Sequence, residues 1–243
     1  MTEPRRPAFY AARAGGWRDW WTILHPPYTA WHLSYVAIGA ALAPHLDATR
    51  LAATLLAFFF AVGISAHALD ELSGRPLRTE LSDRSLQVAA AVGLVVAVAI
   101  GIAGVHEVGA VLIPFLVIGP LLVVAYNAEL FGGVIHTDLG FAAAWGAFPL
   151  VTAYVAQAGN IGIAAVLGAL AALGLSLVQR TLSTPTRALR RRVRHVEGTV
   201  IMADGTIHRV DESTLRRPLE RALQTLSWSM VALATAFVVA RLA

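Results

Sequence analysis

Apolar residues gather in seven long stretches, over 28–46, 51–69, 86–105, 108–126, 139–156, 161–177 and 223–242. A helix needs roughly 20 such residues to cross the hydrocarbon core, so each stretch is a candidate span. None shows the period-2 alternation of barrel strands, and only helices or closed barrels satisfy the backbone in lipid. The pattern predicts an all-α, polytopic transmembrane helical bundle of about seven spans. Six spans fall within 1–180. A polar segment over 181–221 follows, and 222–243 carries the seventh helix. Within the polar segment, Val200 to His208 reads as a small β-hairpin on a cytoplasmic insert, with Asp204-Gly205 at the turn.

Composition supports this picture. The chain is 57% hydrophobic and 14% charged, with a mean hydropathy of +0.64, whereas soluble domains carry nearer a quarter charged residues. It has no cysteine, which excludes disulfide and thiol chemistry. All 19 basic residues are arginine. Seventeen of them fall in the N-terminal tail, the loop after the second span and the loop after the sixth; only Arg50 and Arg241 lie on the other side. The positive-inside rule then puts the N-terminus in the cytoplasm and the C-terminus outside, in the cell membrane. The net charge of +4 reflects this placement, and nucleic acid is not an expected partner. Residues 1–20 lack an apolar core and do not read as a cleavable signal peptide. Trp17, Trp20, Trp21 and Tyr28 suit an interfacial aromatic belt.

Ionisable groups at membrane depth mark candidate sites. His67, Asp70 and Glu71 close the second span at i, i+3 and i+4, which places them on one helix face. Two carboxylates suit Mg²⁺; adding histidine favours Mn²⁺, Fe²⁺ or Zn²⁺. The plainer alternative is a solvated helix end with Glu71 paired to Arg75. A second group follows the fourth span: Tyr126, Asn127 and Glu129, then His136 and Asp138. Its loop falls on the same membrane face, so His67, Asp70, Glu71, Glu129, His136 and Asp138 form a candidate metal set. For Asp138, capping of the fifth helix is an equal alternative. Gln179 and Arg180, at the inner end of the sixth span, can face the same cavity. His25, His32 and His45 read as isolated. The basic run 187–194 reads either as an anchor to anionic headgroups or as a phosphate-binding wall.

From Leu24 to about Arg194 the chain resembles the UbiA superfamily of intramembrane prenyltransferases. The likeness rests on Leu24-His25-Pro26-Pro27-Tyr28, on the acidic end of the second span before Arg75-Pro76, and on Asp138-Leu139-Gly140 through Gly146, Pro149, Tyr154, Gln157 and Gly159. The family pattern before Arg-Pro is Asn-Asp-x-x-Asp-x-x-x-Asp. Counting back from Arg75, Glu71 takes the last Asp and His67 the middle one, while Gly63 and Ile64 replace the leading pair. The family's second acidic motif has no counterpart in Ser176 to Ser183. The resemblance implies Mg²⁺ ions that hold a prenyl diphosphate. Asp70 and Glu71 would then be the catalytic carboxylates, and Arg75, Arg78 and Arg180 would take diphosphate oxygens beside Tyr126, Asn127 and Gln179.

Three functions follow. The first is a divergent prenyltransferase acting on an isoprenyl diphosphate or isoprenoid lipid. The second is a lipid-modifying metalloenzyme with Zn, Fe or Mn on its histidines and carboxylates. The third is a non-catalytic lipid-binding subunit that meets a membrane-protein partner through 181–221.

Overall fold

The computed structural model describes residues 6–127 and 130–243, of Phe131 the backbone alone. Three quarters of the chain is helical. In chain order the elements are α1 (Trp17–Ile23), α2 (Pro26–Leu42), α3 (Ala48–Leu72), α4 (Asp83–Val108), α5 (Ala110–Asn127), α6 (Asp138–Ala158), α7 (Ile163–Arg191), β1 (Gly198–Ile201), β2 (Ile207–Val210) and α8 (Glu212–Leu242). The helices α3 to α8 are six elements long and apolar enough to cross a membrane, which makes this a membrane protein by length and composition. The first expected span, over 28–46, corresponds to α2, a 17-residue helix enclosed by the others.

Local chemistry sets the helix ends. Pro26 and Pro27 open α2, where a missing N–H costs nothing. Asp47 caps α3 by accepting from the Arg50 amide at 2.8 Å, and Ser82 caps α4 from the Ser85 amide at 3.1 Å. Asp211 and Thr214 form a reciprocal capping box at α8. These hydrogen bonds hold the Asp211 carboxyl down at about 2. The helix α7 continues through Pro185 to Arg191 and α8 starts at Glu212. The segment between them is therefore 192–211, shorter than the expected 181–221. Its strands pair antiparallel, Thr199 opposite Arg209, and Gly205 turns with φ of 85°.

The core forms around α2, which packs on α6 and α8. Trp31, Tyr35, Val36 and Ala40 are all 1% exposed or less. Trp31 donates to the Tyr35 hydroxyl at 2.7 Å and Ser176 does so at 3.1 Å, so the buried polar atoms there are paired. Glycine allows the closest approach. A Cβ on Gly39 would lie 2.1 Å from the Leu150 carbonyl oxygen, and one on Gly146 would lie 2.3 Å from Ser176 Oγ. The outer faces of α4, α5 and α7 expose Val95, Leu121 and Leu167, as lipid-facing helices do.

Two helices change pitch along their length. Residues Phe59–Ala66 of α3 and Ala143–Ala147 of α6 are π-helical. Such wide turns are rare, leave carbonyls outside the regular ladder, and are frequent at functional sites.

Candidate functional site

Both π-helical turns border one polar cavity of about 140 Å³ at the arginine-rich end of the bundle. From α3 come Val62, Ala66, His67 and Asp70; from α5 and the loop after it, Tyr126, Asn127 and His136. The helix α7 supplies Gln179, Ser183, Thr186, Arg187, Arg190 and Arg191. Their spacing of 4, 3, 1, 3 and 1 residues keeps them on one helical face. Arg180, beside that face, also reaches the cavity. The N-terminal segment closes the mouth with Phe9 and Tyr10, and His25, Tyr28 and His32 line the α2 side.

Histidine geometry is set by carbonyls. His32 Nδ1 lies 2.8 Å from the Trp145 carbonyl oxygen and His67 Nδ1 lies 3.3 Å from that of Gly63. Both carbonyls belong to the π-helical turns. A carbonyl only accepts, so each Nδ1 carries the proton and each Nε2 keeps its lone pair. His136 Nδ1 lies 3.1 Å from the Tyr126 carbonyl oxygen, and its ring stacks on Tyr126 at 4.5 Å. His25 sits at a left-handed φ of 44°, bonds the Tyr10 hydroxyl at 2.8 Å and stacks on His67. Burial, then the nearby His67, Arg191 and Arg187, hold the His25 imidazole well below the usual histidine range. Burial pushes the Tyr10 phenol well above its own.

Three buried polar atoms at this cavity have no hydrogen-bond partner among the described residues: His25 Nε2, Tyr126 Oη and Gln179 Oε1. Buried polar groups are nearly always paired, so these three are points where a ligand or water completes the site.

Charge is arranged unevenly. Arg180 pairs with Asp138 at 2.7 Å and lies over the Phe141 ring at 5.1 Å. Arg190 pairs with Glu220, which also accepts from Arg216 at 2.5 Å. Arg190 and Arg191 reach the Arg6 and Pro7 carbonyls at 3.2 and 3.3 Å, which ties the N-terminal segment across the mouth. Arg187 makes no hydrogen bond and no ion pair among the described residues. Neither does the Asp70 carboxylate, on which Arg187 and Arg191 act electrostatically.

The residues singled out in the sequence divide. His67, Asp70, Tyr126, Asn127, His136, Gln179 and Arg180 meet at this cavity. Glu71 does not line it. Fully buried behind the wall, it accepts from the Leu77 amide at 2.8 Å and from the Thr79 amide and hydroxyl at 2.9 Å. Although the i, i+4 spacing sets it near His67, Glu71 follows Asp70 by one residue, a rotation of about 100° on a helix. Its carboxylate is turned into the loop by the Leu77 and Thr79 amides while Asp70 faces the cavity. Arg75 pairs with Asp83 rather than with Glu71, and Arg78 is exposed. Thr137, not Asp138, caps α6, accepting from the Gly140 amide at 3.0 Å. Glu129 lies outside the described residues. His25 and His32 belong to the cavity rather than standing apart. Gln157 holds the Asp47 backbone at the far end of the bundle, at 2.7 and 3.1 Å.

A second cavity of about 660 Å³ lies among α3, α4, α5 and α6. It is lined by Phe58, Leu94, Leu116, Leu122 and Phe148 among others, and it shares Val62 and Trp145 with the polar cavity. An apolar chamber and a cationic one therefore meet at a two-residue wall.

No protein-family model, no curated protein and no solved structure matches the chain.

Proposed function

We propose that the chain is a divergent UbiA-like integral membrane prenyltransferase acting on an isoprenyl diphosphate, with the polar cavity facing the cytoplasm. The observation that carries this reading is Arg187, a guanidinium with no ion pair among the described residues, in a cavity that abuts a large apolar chamber. That pairing suits an amphiphile with a multiply charged oxyanion head and a long apolar tail. Arginine binds phosphate oxygens two at a time, which fits the head. The polar cavity is smaller than the roughly 300–1,000 Å³ usual for whole small-molecule ligands, and the apolar one lies within that range.

The residues then divide the work. The arginines stabilise negative charge as the bond between diphosphate and the prenyl C1 breaks and its electron pair leaves with the diphosphate. Tyr28, Tyr126, Phe141 and Trp145 line the path where positive charge develops on C1, and aromatic faces attract cations. The acceptor's nucleophile bonds C1 and loses a proton, for which the Nε2 lone pairs of His32 and His67 are the available bases.

The donors suit a metal centre poorly. Among the described residues no group of three His, Asp or Glu could hold an ion. Among the described residues, Asp70 alone is a carboxylate on the cavity wall with neither a hydrogen bond nor an ion pair. This also weakens the metalloenzyme alternative. A partner-docking role for the polar segment centres on the hairpin, where Ile201 and Ile207 are exposed.

The test is binding of geranylgeranyl diphosphate and of geranylgeraniol to the purified chain in nanodiscs. The reading expects the diphosphate to bind at least tenfold more tightly, since charge-assisted hydrogen bonds each add about 1.5–3 kcal/mol. Equal affinity would remove the diphosphate from the proposal.

A further inference from the structure

Diphosphate sites built on carboxylates need a cation between two sets of mutually repelling oxygens. The cavity here has the opposite sign. Arg180, Arg187, Arg190 and Arg191 reach it from a single helix. Against them stand Asp138 on Arg180, Glu220 shared between Arg190 and Arg216, and Asp70. Among the described residues, Arg191 is held only by the Pro7 carbonyl, and Arg187 by no hydrogen bond or ion pair. The negative end of the α7 macrodipole opposes an anion there, but it amounts to about half an elementary charge, less than the surplus of one positive charge that the four guanidinium groups keep over these three carboxylates.

The acidic side-chains cannot do the reverse. Both oxygens of Glu71 take loop hydrogen bonds, Asp138 is engaged by Arg180, and no three-ligand cluster forms among the described residues. Tyr126 Oη, buried without a partner among the described residues, is a hydroxyl donor already placed at the cavity. Resting on the isoprenyl diphosphate reading, we infer that this cavity binds the diphosphate head directly on arginine, without a divalent cation. Arg187 and Arg191 are the principal ligands. Arg191 exchanges the Pro7 carbonyl for a phosphate oxygen, so the bound head displaces the N-terminal segment from α7.

The experiment titrates geranylgeranyl diphosphate into the full chain in nanodiscs, once in excess EDTA and once in Mg²⁺. The expected result is tight binding in both, with Kd values within about twofold of each other. In both buffers Arg187→Gln weakens binding by at least about tenfold, and the Arg187→Gln/Arg191→Gln pair weakens it further. Arg187→Lys, which keeps the charge but not the two-pronged geometry, falls between; it serves as the folded control if the neutral variants lose thermal stability. Binding that appears only with Mg²⁺ overturns the inference and leaves the prenyltransferase reading standing. Absence of binding in both buffers overturns that reading itself. Equal affinity of all variants overturns the assignment to Arg187.

Discussion

The imidazole rings of His25 and His67 lie face to face, with centroids 4.1 Å apart and planes 10° from parallel. His25 joins the N-terminal segment to the bundle through Tyr10, and His67 stands on the π-helical turn of α3. A proton on the His25 ring meets His67, Arg191, Arg187 and His32, with Tyr10 and Tyr28 as neutral neighbours.

Acid should therefore loosen the protein. His25 is neutral when folded because burial lowers its pKa, whereas the unfolded chain titrates near ~6.5. Above that pH neither state binds the proton. Below it the unfolded state alone does, so stability present above ~6.5 declines as pH falls. The melting temperature in nanodiscs is expected to drop between about pH 7.5 and 5.5. His25→Asn, which tolerates the left-handed backbone at this position, should flatten that slope. An unchanged slope in the variant would place the acid sensitivity elsewhere.

Glu71 tests structure against ligation. Glu71→Ala leaves the buried Leu77 and Thr79 amides without acceptors, at about 1–3 kcal/mol each. A large fall in melting temperature is expected, with ligand affinity of the remaining folded protein within about twofold. A stable variant that fails to bind would instead make Glu71 part of the binding site.

Much of this was legible in the pattern of residues, and the exceptions have physical causes. Long apolar runs mark α3 to α8 because lipid demands them, and His67, Asp70, Tyr126, His136 and Arg180 stand out as polar groups at the ends of those runs. The N-terminal segment has no periodic apolar face, so nothing along the chain tells that Tyr10 reaches His25. Pro185 reads as a helix stop, yet α7 passes it, and only that continuation puts Arg187 on the same face as Gln179. Glu71 looks like a ligand because its partners are backbone amides. The tight loop that presents them bends through Gly74, Arg75 and Arg78 at positive φ, and two of these are residues that seldom adopt it.

Glu220 restrains the cationic cavity. Glu220→Gln removes a negative charge shared by Arg190 and Arg216. Affinity for the diphosphate should rise about fivefold, near 1 kcal/mol, while the melting temperature falls because two arginines lose a partner. Weaker binding in this variant would mean that Glu220 positions Arg190 for the ligand.

The apolar chamber is tested at Ala144, a buried residue on its wall. Ala144→Phe fills space there at a packing cost of about 1–3 kcal/mol. Geranylgeranyl diphosphate should lose about tenfold in affinity while inorganic pyrophosphate binds as before. If both probes weaken alike, the tail does not lie in this chamber.

The most direct measurement compares geranylgeranyl diphosphate binding to wild type, Arg187→Gln and Arg84→Gln in nanodiscs, with thermal unfolding recorded for each. Arg84 lies outside both cavities and controls for a general loss of positive charge. The account predicts that Arg187→Gln alone loses about tenfold or more in affinity, with its folding retained. Arg187→Gln and Arg84→Gln both binding as tightly as wild type would contradict it.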